Sequence, residues 1–186
     1  MKLKDIMNPL FVLLEDAHSA EQFLDENDTQ FTRRAYIRSI FAYIEGTVWI
    51  LKQTCLKAKP ISGNKRISLA EHALLSEETY ELKSNGEPKT QTKFLRLPDN
   101  LKFTFGLINK LFKTSIDLGV GKKEWDNFLK ALEIRHRITH PKESQAFEIS
   151  DKEIQICKEV CSWFNELVHA CFERISQISK KVAENA

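Results

Sequence analysis

The chain has 186 residues, with 28 Lys and Arg against 26 Asp and Glu, so its formal charge of +2 excludes nucleic-acid binding through a polybasic tail. Hydrophobic residues at 42% and charged residues at 29% suit one sizeable core and exclude a disordered chain. Six glycines and five prolines fall well below the usual combined share of roughly 12%, which argues for long helices and against an all-β sandwich.

No stretch approaches the ~18 consecutive apolar residues of a membrane span. Phe11-Val12-Leu13-Leu14 is too short for a signal-peptide core, because Glu15-Asp16 follow at once. A cytoplasmic protein with no membrane partner is expected. Cys55, Cys157, Cys161 and Cys171 include no C-x-x-C pair and read as small core residues.

Asn8-Pro9 predicts the start of the first helix, with Asn8 as N-cap, and Leu10, Leu13, Leu14, Ala17 and Leu24 then recur at helical spacing. Asp25-Glu26-Asn27-Asp28 ends it, and Asp28 or Thr29 caps a longer second helix running toward Lys59-Pro60. Its apolar stripe is Ile37, Ile40, Phe41, Ile44, Val48, Leu51 and Cys55. The pattern then weakens, except for a short helix announced by the capping box Ser68-Leu69-Ala70-Glu71. Asn85-Gly86, between Tyr80-Glu81-Leu82 and Phe94-Leu95, suits either a small hairpin or an irregular loop. Residues 61–97 thus read as a polar insertion within one domain spanning 1–186.

Pro98-Asp99 opens a fourth helix with Leu101, Phe105, Ile108 and Phe112 on its stripe, and Gly119-Val120-Gly121 separates it from a fifth that runs from near Lys122 to Pro141. A second capping box, Ser150-Asp151-Lys152-Glu153, opens the last helix, where Ile154, Cys157, Cys161, Phe164, Val168, Cys171, Ile175, Ile178 and Val182 recur in steps of three and four. The predicted fold is all-α: an up-and-down bundle of five to six helices around a polar insertion.

Two places break the apolar pattern. In the fifth helix the face of Trp125, Phe128, Leu129 and Leu132 continues, at about 100° per residue, through Arg135, His136 and Thr139, which turns Arg135 and His136 inward or toward a partner. His140 follows His136 by one turn, so the two imidazoles can share a site. Cations at a helix C-terminus also serve stability alone, and Arg135, Arg137 and His140 admit that account. In the second helix Glu45 stands among Ile40, Phe41, Tyr43, Ile44, Val48 and Trp49, on one face with Arg34 and Arg38. That trio can pair the carboxylate, present two guanidiniums to a phosphate, or form a surface charge network. His136 and His140 have the spacing of a zinc pair but lack further ligands and a Glu between them, so no metal and no cofactor are expected.

The segment Arg135-His136-Arg137-Ile138-Thr139-His140-Pro141-Lys142 resembles the signature of the HEPN superfamily, Arg, then Asn, Asp or His, then a short spacer to His. The helix containing Arg33-Arg34-Ala35-Tyr36 and Phe41-Ala42-Tyr43-Ile44-Glu45-Gly46 resembles the family's long second helix, while residues 61–97 have no counterpart in its pattern. The resemblance implies a metal-independent endoribonuclease in which two protomers join their motifs across a cleft. Arg135 would hold the phosphate, His140 would act as acid–base group with His136 in support, and a ribose 2′-hydroxyl would attack to leave a 2′,3′-cyclic phosphate. Glu45 with Arg38 would orient the site, which requires Glu45 within reach of Arg135, and Arg34, Arg38 and Arg137 would help bind RNA. The expected setting is a toxin or phage-defence effector, a homodimer with RNA as substrate and an antitoxin or other inhibitory protein as partner. The rivals are a non-catalytic module of the same fold that binds nucleotide, RNA or protein, and a purely structural bundle whose last helix is an oligomer seam.

Overall fold

The computed structural model describes residues 3–58 and 67–184, with side chains described at 8–58 and 67–177. Lys59, Pro60 and Ile61, and the side chains of Ile178 and Val182, therefore lie outside the described residues. The fold is all-α: helices α1 (Leu3–Glu26), α2 (Gln30–Lys57), α3 (Leu69–Leu75), α4 (Leu97–Phe112), α5 (Lys123–Thr139) and α6 (Asp151–Glu184), with a hairpin of β1 (Glu78–Leu82) and β2 (Pro88–Thr92) and a 3-10 turn at Ser144–Phe147. No helix among the described residues is long and apolar enough to cross a membrane. The chain gathers into two compact units, Met1–Thr47 with Asp117–Phe172, and Val48–Ile116 with Glu173–Ala186.

In the first unit two helix pairs, α1 with α2 and α5 with α6, run antiparallel, while α2 and α6 run parallel, from Arg33 beside Asp151 to Tyr43 beside Phe164. Along α5 and α6, Trp125 meets Trp163 at 6.4 Å, Asn127 Nδ2 donates to Glu159 at 2.9 Å and Arg137 reaches Glu153 at 2.7 Å, so the two run antiparallel. α1 runs antiparallel to α2 so closely that a methyl group on Gly46 would collide with Leu13. Between them lie Leu10, Ala17 and Leu24 of α1, Tyr36, Ile37, Ile40, Phe41, Tyr43 and Ile44 of α2, Phe128 and Ala131 of α5, and Cys157, Cys161 and Phe164 of α6, all buried. Phe164 meets the Tyr43 edge at 5.4 Å. Burial pushes the thiols of Cys157 and Cys171 up to about 12 and that of Cys161 to about 11, so these cysteines are inert core residues, as the sequence implied.

Two helix starts show how local chemistry sets boundaries. Asn8-Pro9 does not open α1, which begins at Leu3 and carries Pro9 inside it. The missing N–H of Pro9 costs the Asp5 carbonyl its helical partner, but the loss falls near the helix end, and Leu3 to Met7 include good helix formers that extend it backward. α2 starts as expected: the Thr29 hydroxyl accepts from the Thr32 N–H at 3.2 Å, and the Thr32 hydroxyl accepts from the Thr29 N–H at 2.9 Å, a reciprocal cap. At α6 the Ser150 hydroxyl accepts from the Glu153 N–H at 3.3 Å and the Glu153 carboxylate accepts from the Ser150 N–H at 2.9 Å. Ser150→Ala is expected to cost about 1 kcal/mol, read as a melting-temperature drop of about 2–4 °C.

In the second unit Ile50, Leu51 and Cys55 of α2, Leu75 of α3, and Leu101, Phe105, Leu107 and Ile108 of α4 are buried. The Ser68 capping box forms, and its Glu71 carboxylate also takes Lys110 Nζ at 2.6 and 2.7 Å, which holds the carboxyl below its usual range. Lys52 is fully buried, its ammonium 2.9 Å from Glu77 Oε1. Glu77 occupies the left-handed region at φ 55° and accepts the Lys93 N–H at 2.7 Å, extending the hairpin ladder by one pair.

Of the two alternatives left open for the insertion, the hairpin is the one that forms. Its turn spans Lys83–Gly86, with Gly86 at φ 83°, but its second strand is Pro88–Thr92 rather than Phe94-Leu95. That strand, Pro-Lys-Thr-Gln-Thr, has no apolar alternation to reveal it and is held by backbone pairing to Glu78–Leu82.

Candidate functional site

The end of α5 is built from its buried stripe outward. Ala131, Ile134 and Ile138 take the inward positions, so Arg135 sits at the margin, its side chain 27% exposed, and His136 is exposed. Of the two orientations open for His136, inward or toward a partner, the inward one does not occur: the stripe at steps of three and four passes through the isoleucines and leaves His136 a step beyond it. His140 caps the helix at φ −125°, ψ 62°, its N–H still donating to the His136 carbonyl at 2.9 Å, and Pro141 prevents continuation. The Thr139 hydroxyl donates to the Arg135 carbonyl at 2.7 Å and tightens this last turn.

The sequence expectation for Glu45 holds: Arg135 Nη2 donates to Glu45 Oε1 at 2.8 Å, joining α5 to α2. Both groups are partly exposed, so the pair adds little stability and acts chiefly to orient the guanidinium. Arg34, from the same face of α2, turns elsewhere. Its Nη1 donates to the Phe147 carbonyl at 3.0 Å and its guanidinium lies 5.6 Å from the Phe147 ring centre. Arg38 is exposed and makes no hydrogen bond or ion pair among the described residues. Arg137 Nη2 donates to Glu153 at 2.7 Å, so one carboxylate both caps α6 and clamps α5.

Arg135, His136, Arg137 and His140 border a cavity of about 650 Å³, whose lining does not include Glu45, Arg34 or Arg38. Arg135, His136, Arg137, His140 and Lys142 supply its basic lining, and Glu143 with Gln145 and Ala146 of the 3-10 turn at Ser144–Phe147 supply the rest of its wall. The sequence showed no sign of that wall, since only nearness to the motif marks it. Arg33 was likewise passed over as a functional support: it donates to Asp28 at 2.6 Å, to Asp151 at 2.6 Å and to the Ile149 carbonyl at 2.7 Å, fixing the segment between the 3-10 turn and α6 against the start of α2. Its hydrogen bonds, helped by its charge, hold the Asp28 carboxyl below the usual range. Gln30 adds a double hydrogen bond to the Ile149 backbone, at 3.0 and 2.8 Å.

Arg34 is therefore a support of the cavity wall. Arg34→Ala is expected to raise amide exchange at residues 144–147 at least tenfold while leaving exchange in the centre of α6 unchanged, which hydrogen-exchange mass spectrometry can resolve.

No three His, Cys, Asp or Glu side chains converge as a metal ligand set among the described residues. Comparison with protein-family models, with curated proteins and with solved structures found no match.

Proposed function

We propose that the chain is a HEPN-like, metal-independent endoribonuclease. The observation that carries this reading is the meeting of Arg135, His136 and His140 at one basic cavity, with Glu45 bonded to Arg135. A cavity of about 650 Å³ is within the size of ordinary small-ligand sites and admits a nucleotide with its phosphate. Glu45 takes a single hydrogen of Arg135 Nη2, which leaves the guanidinium further donors for the non-bridging oxygens of a phosphodiester.

In the proposed step a His140 nitrogen takes the proton of a ribose 2′-hydroxyl, and the 2′-oxygen attacks the adjacent phosphorus. The bond from phosphorus to the 5′-oxygen breaks, and that oxygen leaves with a proton supplied by His136. The products are a 2′,3′-cyclic phosphate and a 5′-hydroxyl, with no change of oxidation state. Imidazole suits both roles because its unperturbed pKa, near 6.5, lies close to neutral pH. Arg135 would offset the negative charge that grows on the phosphate oxygens. The active form is proposed to be a homodimer that joins two such motifs, acting as a toxin or defence effector under an inhibitory partner protein.

Incubation of the purified protein with total RNA in EDTA, beside Arg135→Ala and His140→Ala, tests this. Cutting by the wild type alone, with 2′,3′-cyclic phosphate ends, supports the proposal. If the wild type binds RNA but leaves it intact, and Arg135→Ala and His140→Ala weaken that binding, the cavity belongs to a non-catalytic binding module.

A further inference from the structure

The basic lining of the cavity is interrupted by one carboxylate, that of Glu143. A carboxylate beside a phosphate site works against an anion, so its presence there calls for a partner of its own. The fold supplies none. Arg135 and Arg137 are paired with Glu45 and Glu153, at 2.8 and 2.7 Å, and Glu143 makes no side-chain hydrogen bond or ion pair among the described residues. Nor does its side chain cap the 3-10 turn at Ser144–Phe147, although it stands at the head of that turn: only its backbone carbonyl is used, accepting the Ala146 N–H at 3.2 Å. Two positions on, Gln145 lines the same cavity. The Ser144 hydroxyl donates to Gln145 Oε1 at 3.2 Å, so the Nε2 hydrogens are what that side chain has left to offer.

We propose that Glu143 and Gln145 select a guanine base whose phosphate lies at the basic lining of the cavity. Together they offer a pair of carboxylate acceptors and an amide donor. The Watson–Crick edge of guanine is their complement: its N1–H and N2 amino group are adjacent donors that reach one carboxylate together, and the O6 acceptor beside them suits Gln145 Nε2. The other bases match less well. Uracil has a single edge N–H flanked by two carbonyl oxygens, and adenine and cytosine each set one amino group beside a ring nitrogen whose lone pair would face the second carboxylate oxygen. Hydrogen bonds to an ionised acceptor are about twice as strong as neutral ones, which favours the base that makes two of them. The inference rests on the RNA reading of the cavity and adds base choice to it. It needs the cavity to hold a nucleotide but not to cut one.

The test is isothermal titration calorimetry of the full chain in EDTA with the 3′- and 5′-monophosphates of guanosine, adenosine, cytidine and uridine, beside Glu143→Gln and Gln145→Ala. Both side chains are exposed, and thermal melts verify that the variants stay folded. The wild type is expected to bind a guanosine monophosphate about 10-fold more tightly than the other three nucleotides. Preference in the 3′ series seats guanosine before the scissile phosphate, and preference in the 5′ series seats it after. Glu143→Gln is expected to weaken the guanosine nucleotide about 10-fold without weakening the others, and Gln145→Ala to weaken it about threefold. If Glu143→Gln instead tightens all four nucleotides alike, the carboxylate is only a background charge and the proposal falls. Equal wild-type affinities for the four, or no binding of either guanosine monophosphate at about 1 mM, overturn it as well. RNA left intact by a chain that selects guanosine would defeat the nuclease reading alone, whereas RNA cut by a chain without that selection would defeat the base assignment alone.

Discussion

Arg135→Lys is expected to lose nearly as much RNA-cutting as Arg135→Ala, about 10²- to 10³-fold in single-turnover rate, although lysine keeps the charge. The reason is geometric. Glu45 already holds one terminal nitrogen of Arg135 at 2.8 Å, and Arg135 also lines the cavity, so a planar fork with several donors can serve the carboxylate and a phosphate at once. An ammonium bonded to Glu45 has no rigid second edge to offer a phosphate. Glu45→Gln, which keeps an acceptor for Nη2, is expected to cost about tenfold, and His140→Ala about 10²- to 10⁴-fold. The Arg135–Glu45 pair is partly exposed, so none of these substitutions at 45 or 135 should lower stability by more than about 1 kcal/mol. Single-turnover cleavage of a short RNA, read beside thermal melts, separates the effects: equal rates for Arg135→Lys and wild type would show that charge alone suffices and would remove the fork from the mechanism.

The largest stability effect is expected in the second unit. Lys52 has no exposed surface and its ammonium is bonded to Glu77, whose side chain is 30% exposed. Glu77→Gln leaves a buried ammonium without its counter-charge, a loss of about 3 kcal/mol, at the low end of the range for broken buried pairs because Glu77 itself is partly wet. Lys52→Met removes the buried charge altogether and fills similar space, so it is expected to be neutral or stabilising by about 1 kcal/mol. Chemical denaturation of the two variants decides: if Lys52→Met proves the more damaging, the ammonium makes interactions that matter beyond its ion pair.

What the sequence disclosed was chemistry that acts over one or two turns. Both Ser–Glu capping boxes lie where their four-residue spacing put them, because the bonds are made within that span. The stripes of α2 and α6 were legible because burial on one helix face forces a period, and Glu45 stood out by breaking it. Its meeting with Arg135, ninety positions away, was implied by the family resemblance and not by the stripes themselves. Other features left no periodic trace. Strand β2 is polar along its length, the turn at Ser144–Phe147 is shorter than any pattern, and Lys52 is of a residue type normally exposed. Arg34 was read with its helix neighbours on α2, but its partner is a backbone carbonyl, which no side-chain pattern reports.

Every side chain that lines the cavity falls between Arg135 and Ala146, on a helix end and the turn after it. A pocket drawn from one unbroken stretch closes without bringing distant loops together, so its assembly carries little loop-closure entropy. It also behaves as a module in inheritance: substitutions within that stretch can retune size, charge and ligand without compensating changes across the chain. Glu45, Arg34 and Glu153 tie it to other helices, and these three positions mark where such retuning would meet resistance.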